Sequence, residues 1–213
     1  DLHSFPTRRS SDLPGFNQKV KGVTAFRTMI FMPVVTSMVV VSILWSFFYE
    51  DDGLFNSALN TVTGGAWTAV AWLNNPGTAM PAIILLSIWQ AVGLHMIIWL
   101  SGLQGIDPAL YEAADLDGAS GWQRFRYVTW PGLRSTMVFI LVTITIAALG
   151  LFVQVDVMTS GGPQDATSTL VYHAVRKGYR EQDMGYGSAI SLIFFLAVLA
   201  ISLIQRRLTR EKD

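Results

Sequence analysis

The residues with the clearest chemical character in this chain are three neighbouring carboxylates, Glu112, Asp115 and Asp117. Two small residues, Ala113 and Ala114, stand among them and allow another backbone to approach closely. Carboxylates accept hydrogen bonds from basic side chains and from backbone N–H groups. This combination is typical of a surface that docks into a groove of a partner, although a solvated helix face built from good helix formers has the same composition.

Other kinds of chemistry find no support in the sequence. The chain has no cysteine, which excludes disulfides, cysteine-ligated zinc and a thiol nucleophile. It contains no GxxxxGK[ST], HExxH, GxSxG or GxGxxG pattern. The formal net charge is zero, so no overall field points to nucleic acid. We therefore expect no catalytic residue, no metal and no cofactor in this chain.

The carboxylates belong to the segment 102–133, which reads GLQGIDPALYEAADLDGASGWQRFRYVTWPGL. Asp107 followed by Pro108 predicts a helix start, since the first is an N-cap acceptor and the second fits the first turn. Gly118 can adopt a positive φ and end that helix. The first arm of a helical hairpin is therefore expected to carry all three carboxylates.

A second arm follows at once. Ser120 and Gln123 form a capping-box pattern, and we expect the helix that they begin to end at Pro131. Its spacing predicts that three apolar residues share one face: Trp122, Phe125 and Val128. A short amphipathic hairpin needs a surface to pack against, either the membrane interface or another protein. The acidic first arm argues against an anionic lipid surface, because interfacial helices are usually rich in Lys and Arg.

The elements that position this hairpin are strongly apolar. Hydrophobic residues make up 51% of the chain and charged residues only 14%, with a mean hydropathy of +0.41. A bilayer core is crossed by about 20 apolar residues in a helix. Four stretches meet that length, at about 28–49, 80–100, 136–157 and 186–204. The sequence thus predicts an all-α polytopic membrane protein.

Basic residues predict the orientation of these four spans. No Lys or Arg occurs between Arg27 and Arg124. Ten basic residues lie on one side: Lys19, Lys21, Arg27, Arg124, Arg126, Arg134, Arg206, Arg207, Arg210 and Lys212. Three lie on the other: Arg176, Lys177 and Arg180. The positive-inside rule then puts the hairpin and the C-terminus in the cytoplasm. The three exceptions weaken this prediction, although Glu181 and Asp183 stand beside them.

The first thirteen residues, DLHSFPTRRSSDL, lack the apolar region of a signal peptide. They share no pattern with the rest of the chain. We interpret them as a non-native or disordered tail and expect the transmembrane domain to cover residues 14–213. A genuine flexible tail is the alternative.

Several motifs resemble one family. Glu112-Ala113-Ala114, then Gly118, then after nine residues Val128-x-Trp130-Pro131, resembles the EAA loop of permease subunits of ATP-binding-cassette importers. The family pattern ends in I-x-L-P, so Val128 and Trp130 depart from it. The stretches YEAADLDGASGWQRFRYVTWPGLR, TSGGPQDATSTLVYHAV, MGYGSAIS and FRTMIFMPVVTS resemble the carbohydrate-importer branch, of the first-permease type. The resemblance covers residues 14–210.

The resemblance implies a role for the hairpin and a set of partners. Six residues would couple the chain to an ATPase subunit: Glu112, Ala113, Ala114, Asp117, Gly118 and Pro131. The partners would be ATP-binding-cassette ATPase subunits, a second related permease in a heterodimer, and an extracytoplasmic solute-binding protein in a bacterial or archaeal inner membrane. ATP hydrolysis would reside in the partner. Such permeases usually have six spans, so we expect an N-terminal part to lie outside this chain.

The solute class is left open between an oligosaccharide, a monosaccharide and glycerol phosphate. Polar and aromatic residues inside the spans are candidates for its pathway, with helix packing as the alternative for each: Trp89, Gln90, Thr143 and Gln154. An ion-driven secondary transporter would need paired ionisable residues at the membrane midplane. The second and fourth apolar stretches hold no carboxylate. A non-transporting membrane scaffold would lack a specific cytoplasmic docking element.

Overall fold

The computed structural model describes residues 23–209, with side chains described for residues 28–207. In this part of the chain the regular elements are all helical, which confirms the all-α class. The helices are α1 (Val23–Val35), α2 (Met38–Phe48), α3 (Leu54–Val62), α4 (Pro76–Gln104), α5 (Pro108–Leu116), α6 (Gly121–Arg124), α7 (Trp130–Gly132), α8 (Arg134–Leu149), α9 (Val153–Met158), α10 (Leu170–Val175) and α11 (Met184–Thr209). Two π-helical turns interrupt them, π1 (Phe125–Thr129) and π2 (Arg176–Arg180).

Within residues 23–209, three helical segments are long and apolar enough to cross a membrane. They are α4, the run Arg134–Met158 that joins α8 to α9, and α11 up to Arg207. A fourth crossing results if Thr28–Val35 and Met38–Phe48, which meet at 109°, count as one broken span. The helices extend beyond the apolar stretches seen in the sequence, since α4 begins at Pro76 and α11 continues to Thr209.

The first apolar stretch differs from the continuous helix that its hydropathy suggests. The helix breaks at Ser37, whose φ of −57° and ψ of 130° leave the α region. The hydroxyl of Thr36 donates to the carbonyl of Met32, and its backbone N–H donates to Pro33, so the turn caps α1 locally. Such side-chain bonds compete with helix continuation. An average of hydropathy does not detect this competition, because Val35, Thr36 and Ser37 lower the average too little to mark a break.

An aromatic cluster holds the ends of α2, α3 and α4 together. The ring of Trp45 lies 5.6 Å from that of Phe55, and the ring of Tyr49 stacks on Phe55 at 4.9 Å. The hydroxyl of Tyr49 donates to the carbonyl of Ala82 at 2.9 Å. Ring pairs at these separations stabilise a core beyond the area that they bury. Val155 of α9 is fully buried in the same cluster, so α9 is fixed against α2.

The connection between α3 and α4 is organised by one buried amide. Asn56 is 3% exposed. Its Nδ2 donates to the carbonyls of Glu50, Asp51 and Val70. Its Oδ1 accepts from the Val70 N–H and from the indole N–H groups of Trp67 and Trp72. This one side chain therefore satisfies backbone groups that have no helical hydrogen-bond partner in an irregular connection.

Small residues let the long helices pack closely. A Cβ on Gly93 of α4 would overlap the carbonyl of Ile30 in α1, and one on Gly187 of α11 would lie 2.8 Å from the Cα of Gly178 in π2. Gln205 of α11 donates to Thr145 of α8 at 2.7 Å. Close approach at small residues is the usual way in which membrane helices associate. The outward sides stay apolar and exposed, as at Ile193, which is 61% exposed.

Candidate functional site

The acidic hairpin between α4 and α8 is formed by local capping. The carboxylate of Asp107 accepts from the Ala109 N–H at 2.9 Å, and Pro108 occupies the first turn of α5. Gly118 has a φ of +72° and follows the end of α5. These observations confirm the predicted start and end of the first arm. The positive φ is a conformation that glycine adopts without steric cost.

The predicted capping box of the second arm is also confirmed. The Ser120 hydroxyl accepts from the Gln123 N–H at 3.4 Å, and the Gln123 side-chain oxygen accepts from the Ser120 N–H at 2.7 Å. Two orphan N–H groups of the helix start are satisfied in this way. The second arm begins at Gly121.

The two arms contact each other through polar side chains. Arg124 forms an ion pair with Asp115 at 2.5 Å. Tyr111 and Thr129 share a hydrogen bond of 2.9 Å between their hydroxyl oxygens. Asp115 is thus turned toward the neighbouring arm and is already paired, whereas Glu112 lies on the exposed side of α5. Of the three carboxylates, Asp115 is the least suited to bind a partner.

A groove of about 460 Å³ opens between the arms. It is lined by Leu110, Ala113, Ala114, Asp117, Gly118, Ala119, Gln123, Tyr127 and Val128. Four of the six residues singled out from the sequence therefore meet at one concave surface: Ala113, Ala114, Asp117 and Gly118. Glu112 is exposed next to this surface on α5, and Pro131 lies outside its lining. The small alanines leave the floor of the groove accessible to a partner's side chains.

The second arm does not end at Pro131, which corrects our expectation. The chain stays helical from Gly121 through π1 and α7 to Gly132, and Pro131 lies within the first turn of α7. In π1 the Trp130 N–H donates to the Phe125 carbonyl, five residues back. Because a proline has no N–H, it needs no acceptor where the hydrogen-bond register shifts. The π turn thus accommodates a residue that would break a regular α-helix.

The same π turn changes which aromatic residues share a face. Trp122 stacks on Phe125 at 5.6 Å, as the α spacing predicted. Trp130, five residues further on, lies 6.1 Å from Phe125, because a π turn holds more residues than an α turn. Val128 instead lines the groove. The expectation that Val128 joins Trp122 and Phe125 was therefore wrong.

The four candidates for a solute pathway have different surroundings. Gln154 is 7% exposed and its Nε2 donates to the Ser87 hydroxyl at 3.4 Å. Trp89 is 42% exposed with its ring 5.4 Å from Trp45. Thr143 donates within its own helix to Phe139 and Ile140, and Gln90 is half-buried. Gln154 is thus the one of the four with a side-chain hydrogen bond to another helix among the contacts of the described residues.

A charge network that the sequence did not reveal surrounds π2. Arg176 pairs with Asp165 at 2.9 Å, Lys177 with Glu181 at 2.5 Å, and Arg180 with Asp156. All three basic residues that contradicted the charge bias are therefore paired with carboxylates. Only the Lys177–Glu181 pair has the four-residue spacing that a sequence signals. The other two pairs are 11 and 24 residues apart.

These pairs shift two pKa values in the directions expected of ion pairs. The hydrogen bond to Asp165 raises the pKa of the Arg176 guanidinium. The hydrogen bond from Lys177 lowers the pKa of the Glu181 carboxyl. Both groups stay ionised across the neutral range. The local charge of this loop is therefore balanced, and the three basic residues exert little net field.

Comparison with known proteins places these features in context. The profile of the family described as binding-protein-dependent transport system inner membrane component matches residues 14–212. The lactose transport system permease protein LacF of Rhizobium radiobacter is 36% identical over 199 residues, which are 92% of this chain and 66% of LacF. The arabinooligosaccharides transport system permease protein AraP of Bacillus subtilis is 31% identical over 193 residues, 89% of this chain and 61% of AraP.

The fold is similar to those of solved transporters. A crystal structure of a bacterial ABC transporter involved in the import of the acidic polysaccharide alginate superimposes with a TM-score of 0.75 at 25% identity, covering 91% of this chain and 68% of that chain. A crystal structure of a bacterial alginate ABC transporter in complex with an alginate pentasaccharide-bound periplasmic protein gives a TM-score of 0.74 at 25% identity, covering 88% of this chain and 65% of that chain. The chain spans just under two thirds of the length of LacF and AraP.

Proposed function

The chain belongs to the family of binding-protein-dependent transport system inner membrane components, and we propose that it is a membrane-spanning subunit of an ATP-driven importer. The observation that carries this proposal is the position of the hairpin. An exposed Glu112 and the groove at Ala113 and Ala114 lie between two helices that are long and apolar enough to cross a membrane, α4 and α8. A partner that binds the groove is thereby linked directly to both helices.

In the proposed mechanism the hairpin docks onto an ATPase subunit that hydrolyses ATP. Glu112 provides an exposed carboxylate for a basic or amide donor of the ATPase, and the small residues admit its side chains to the groove. Gly118 and Pro131 shape the two arms, through the turn and through π1. Closure of the ATPase pair then moves the hairpin, and the hairpin moves α4 and α8 between outward-open and inward-open arrangements. The chain itself performs no hydrolysis.

The proposed orientation puts the hairpin and the C-terminus in the cytoplasm of a bacterial or archaeal cell. The ten basic residues on the side of the hairpin support it. The bias of ten to three holds with Arg176, Lys177 and Arg180 counted on the other side, where each is paired with a carboxylate. The connection that bears Asn56 would then face the outside of the cell membrane, where a solute-binding protein delivers its solute.

The proposed cargo is a sugar or a sugar-like solute such as an oligosaccharide, a monosaccharide or glycerol phosphate. The names of LacF and AraP, which refer to lactose and arabinooligosaccharides, support this class. The alginate transporter, crystallised with a periplasmic protein that holds a pentasaccharide, supports delivery by a binding protein. A second, related permease completes the pathway in this proposal, and the exposed apolar sides of the long helices are available to it and to lipid.

Within the pathway Gln154 is the strongest candidate for solute contact. It lies just after the interruption of the helix at residues 150–152, where the carbonyl of Leu151 accepts from the Thr169 hydroxyl and not from a helical N–H. Its weak 3.4 Å contact with Ser87 leaves amide hydrogen-bonding capacity for a hydroxyl group of the solute. The internal hydrogen bonds of Thr143 make it a packing residue more than a ligand. Trp89 and Gln90 remain secondary candidates.

The docking role is tested with the full-length protein, its second permease and the candidate ATPase subunits, purified together from membranes. Glu112→Lys reverses an exposed charge at the proposed interface, and should weaken ATPase association about tenfold or more. Asp52→Lys makes the same change on an exposed residue of the opposite connection and should leave association unchanged. Equal ATPase association and transport in wild type and Glu112→Lys would disprove the docking role.

The orientation is tested separately by labelling intact cells. A cysteine at Ala119, in the lining of the groove, should react only with maleimides that reach the cytoplasm, and a cysteine at Asn60 should react with impermeant reagents. The 213 residues contain no cysteine, and any cysteine elsewhere in the full-length protein is replaced so that each variant reports a single position. Labelling of position 119 from outside would overturn the orientation without affecting the assignment of the docking surface.

A further inference from the structure

Four contacts between the two sides of the hairpin lie at successive levels. From the tip downward they are Asp115 with Arg124, Tyr111 with Thr129, Ile106 with Gly132, and Gly102 with Thr136. Contacts closer to α4 on the first side of the hairpin are also closer to α8 on the second side. We call this antiparallel set of contacts the hairpin ladder. It extends from the groove to the beginning of α8.

The two lower levels depend on close backbone approach. A Cβ on Gly132 would lie 2.9 Å from Cγ1 of Ile106, a residue that is 7% exposed. A Cβ on Gly102 would overlap the hydroxyl of Thr136. Distances this short leave no room for sliding between the end of α4 and the start of α8. The base of the hairpin therefore forms a packed joint.

The second level is polar and buried. Thr129 is 7% exposed, and its hydroxyl contacts the Tyr111 hydroxyl at 2.9 Å. Thr129 closes π1, and its carbonyl accepts from the Leu133 N–H at 3.0 Å. The carbonyl of Leu133 in turn accepts from the Met137 N–H of α8 at 2.8 Å. A continuous series of hydrogen bonds thus leads from Tyr111, one residue before Glu112, into α8.

We propose that Tyr111 and Thr129 are positioning residues that make α5 and α8 move as one rigid lever. This inference rests on the proposed function, because it concerns how movement of the docked hairpin reaches the spans. The Asp115–Arg124 ion pair near the tip has side chains that are 54% and 39% exposed. An exposed ion pair contributes little to stability. The Tyr111–Thr129 hydroxyl pair, which includes the buried Thr129, supplies the stiffness at mid-height.

The test uses the full-length protein assembled with its second permease and ATPase subunits in lipid nanodiscs. Nitroxide labels on Leu116→Cys in α5 and Phe139→Cys in α8 report the distance between the hairpin tip and the span. Thr129→Val removes the hydroxyl with little change in shape, and Thr129→Ser keeps it. We expect narrow distance distributions in wild type and Thr129→Ser. In Thr129→Val the opened population should rise about fivefold, as expected for the loss of one hydrogen bond.

A second measurement follows the response to nucleotide. ATP with vanadate closes the ATPase pair, and the accessibility of the label at position 139 to an aqueous nickel chelate reports movement of α8. Wild type and Thr129→Ser should respond, whereas Thr129→Val should bind the ATPase normally and respond about fivefold less. Tyr111→Phe removes the other hydroxyl of the pair and should also reduce the response.

The possible failures are distinguishable. A distance distribution in Thr129→Val as narrow as in wild type, or a full nucleotide response in that variant, overturns the positioning role alone. If wild type itself gives no nucleotide response, the proposed ATPase coupling is wrong and the positioning role fails with it. Equal loss of response in Thr129→Ser and Thr129→Val would also contradict the proposal, since the hydroxyl would then not be the determinant.

Discussion

The guanidinium of Arg180 forms an ion pair with the carboxylate of Asp156, although the two residues are 24 apart in the sequence. Arg180 also donates to the Tyr172 hydroxyl at 3.3 Å, and that hydroxyl donates to the Ser160 carbonyl at 2.6 Å. The three contacts join the end of α9, the following loop and π2. They hold the entrance to α11 against the end of the preceding membrane-crossing segment.

Replacing Arg180 with Gln should loosen the loop 159–169. The side chains of Arg180 and Asp156 are 51% and 26% exposed, so solvent screens the pair and the loss of stability should stay within about 1 kcal/mol. Amide hydrogen exchange of the loop should accelerate nevertheless, because Tyr172 loses a donor. Arg206→Gln, an exposed arginine at the other end of α11, is the control. Unchanged exchange in Arg180→Gln would show that the ion pair does not order the loop.

Gly187→Ala should destabilise the packing of α11 on α10 and π2. The added Cβ would lie 2.8 Å from the Cα of Gly178 and 2.9 Å from the carbonyl oxygen of Ala174, and both obstacles are backbone. Overpacking of this kind costs about 1–3 kcal/mol. Thermal unfolding in detergent should show the loss. Gly185→Ala, whose Cβ would lie 3.7 Å from the nearest atom, should behave like wild type.

Asn56→Ala should disorder the connection between α3 and α4. The change leaves three carbonyls, two indole N–H groups and the Val70 N–H without the partner that they share, and each of these groups that stays buried and unsatisfied costs about 1–3 kcal/mol. Tryptophan emission should shift to longer wavelength as Trp67 and Trp72 become hydrated. Asn60→Ala on the exposed side of the same helix is the control. An unshifted spectrum and an unchanged melting temperature in Asn56→Ala would contradict the central role of this amide.

The ion pairs of π2 should weaken in acid. The hydrogen bond from Lys177 lowers the pKa of Glu181 in the folded protein, so this carboxylate stabilises the fold fully above its unfolded pKa of about 4.3. The contribution is lost as the pH falls through the lower, folded pKa. The protection factors of the amides of residues 176–181, which are exchange rates corrected for the intrinsic pH dependence of exchange, should therefore fall in that acid range and stay constant between pH 5 and 8 as far as Glu181 determines them. Glu181→Gln should remove the acid dependence. If the acid dependence persists in that variant, it arises from another group.

The sequence sufficed for features that short-range chemistry determines. The caps at Asp107 and Ser120 and the turn at Gly118 each depend on residues within three or four positions, and the structure confirms them. Apolar length likewise indicated the helices that can cross a membrane. These signals come from neighbouring residues or from an average over a window, so they can be recognised without knowledge of the tertiary contacts.

Other features depend on contacts between distant residues, so periodicity could not reveal them. The partners of Arg176 and Arg180 are found only when the loop folds back. The pairing of Tyr111 with Thr129 spans 18 residues. Pro131, which the sequence predicted to end the helix, is instead accommodated next to π1. The local change of hydrogen-bond register removes the need for its N–H.

That change of register also absorbs a residue. A π turn contains one residue more than the α turn that would replace it. The helix on either side of π1 therefore keeps nearly the same rotation about its axis as it would have without the extra residue, because the five residues of a π turn advance about as far round the axis as four residues of an α-helix. One residue added to or removed from the regular helix beside π1 has no such compensation, and would rotate Glu112 and the alanine-lined groove by about 100° relative to α8. The length of this arm thus determines the side of the molecule on which the docking surface lies.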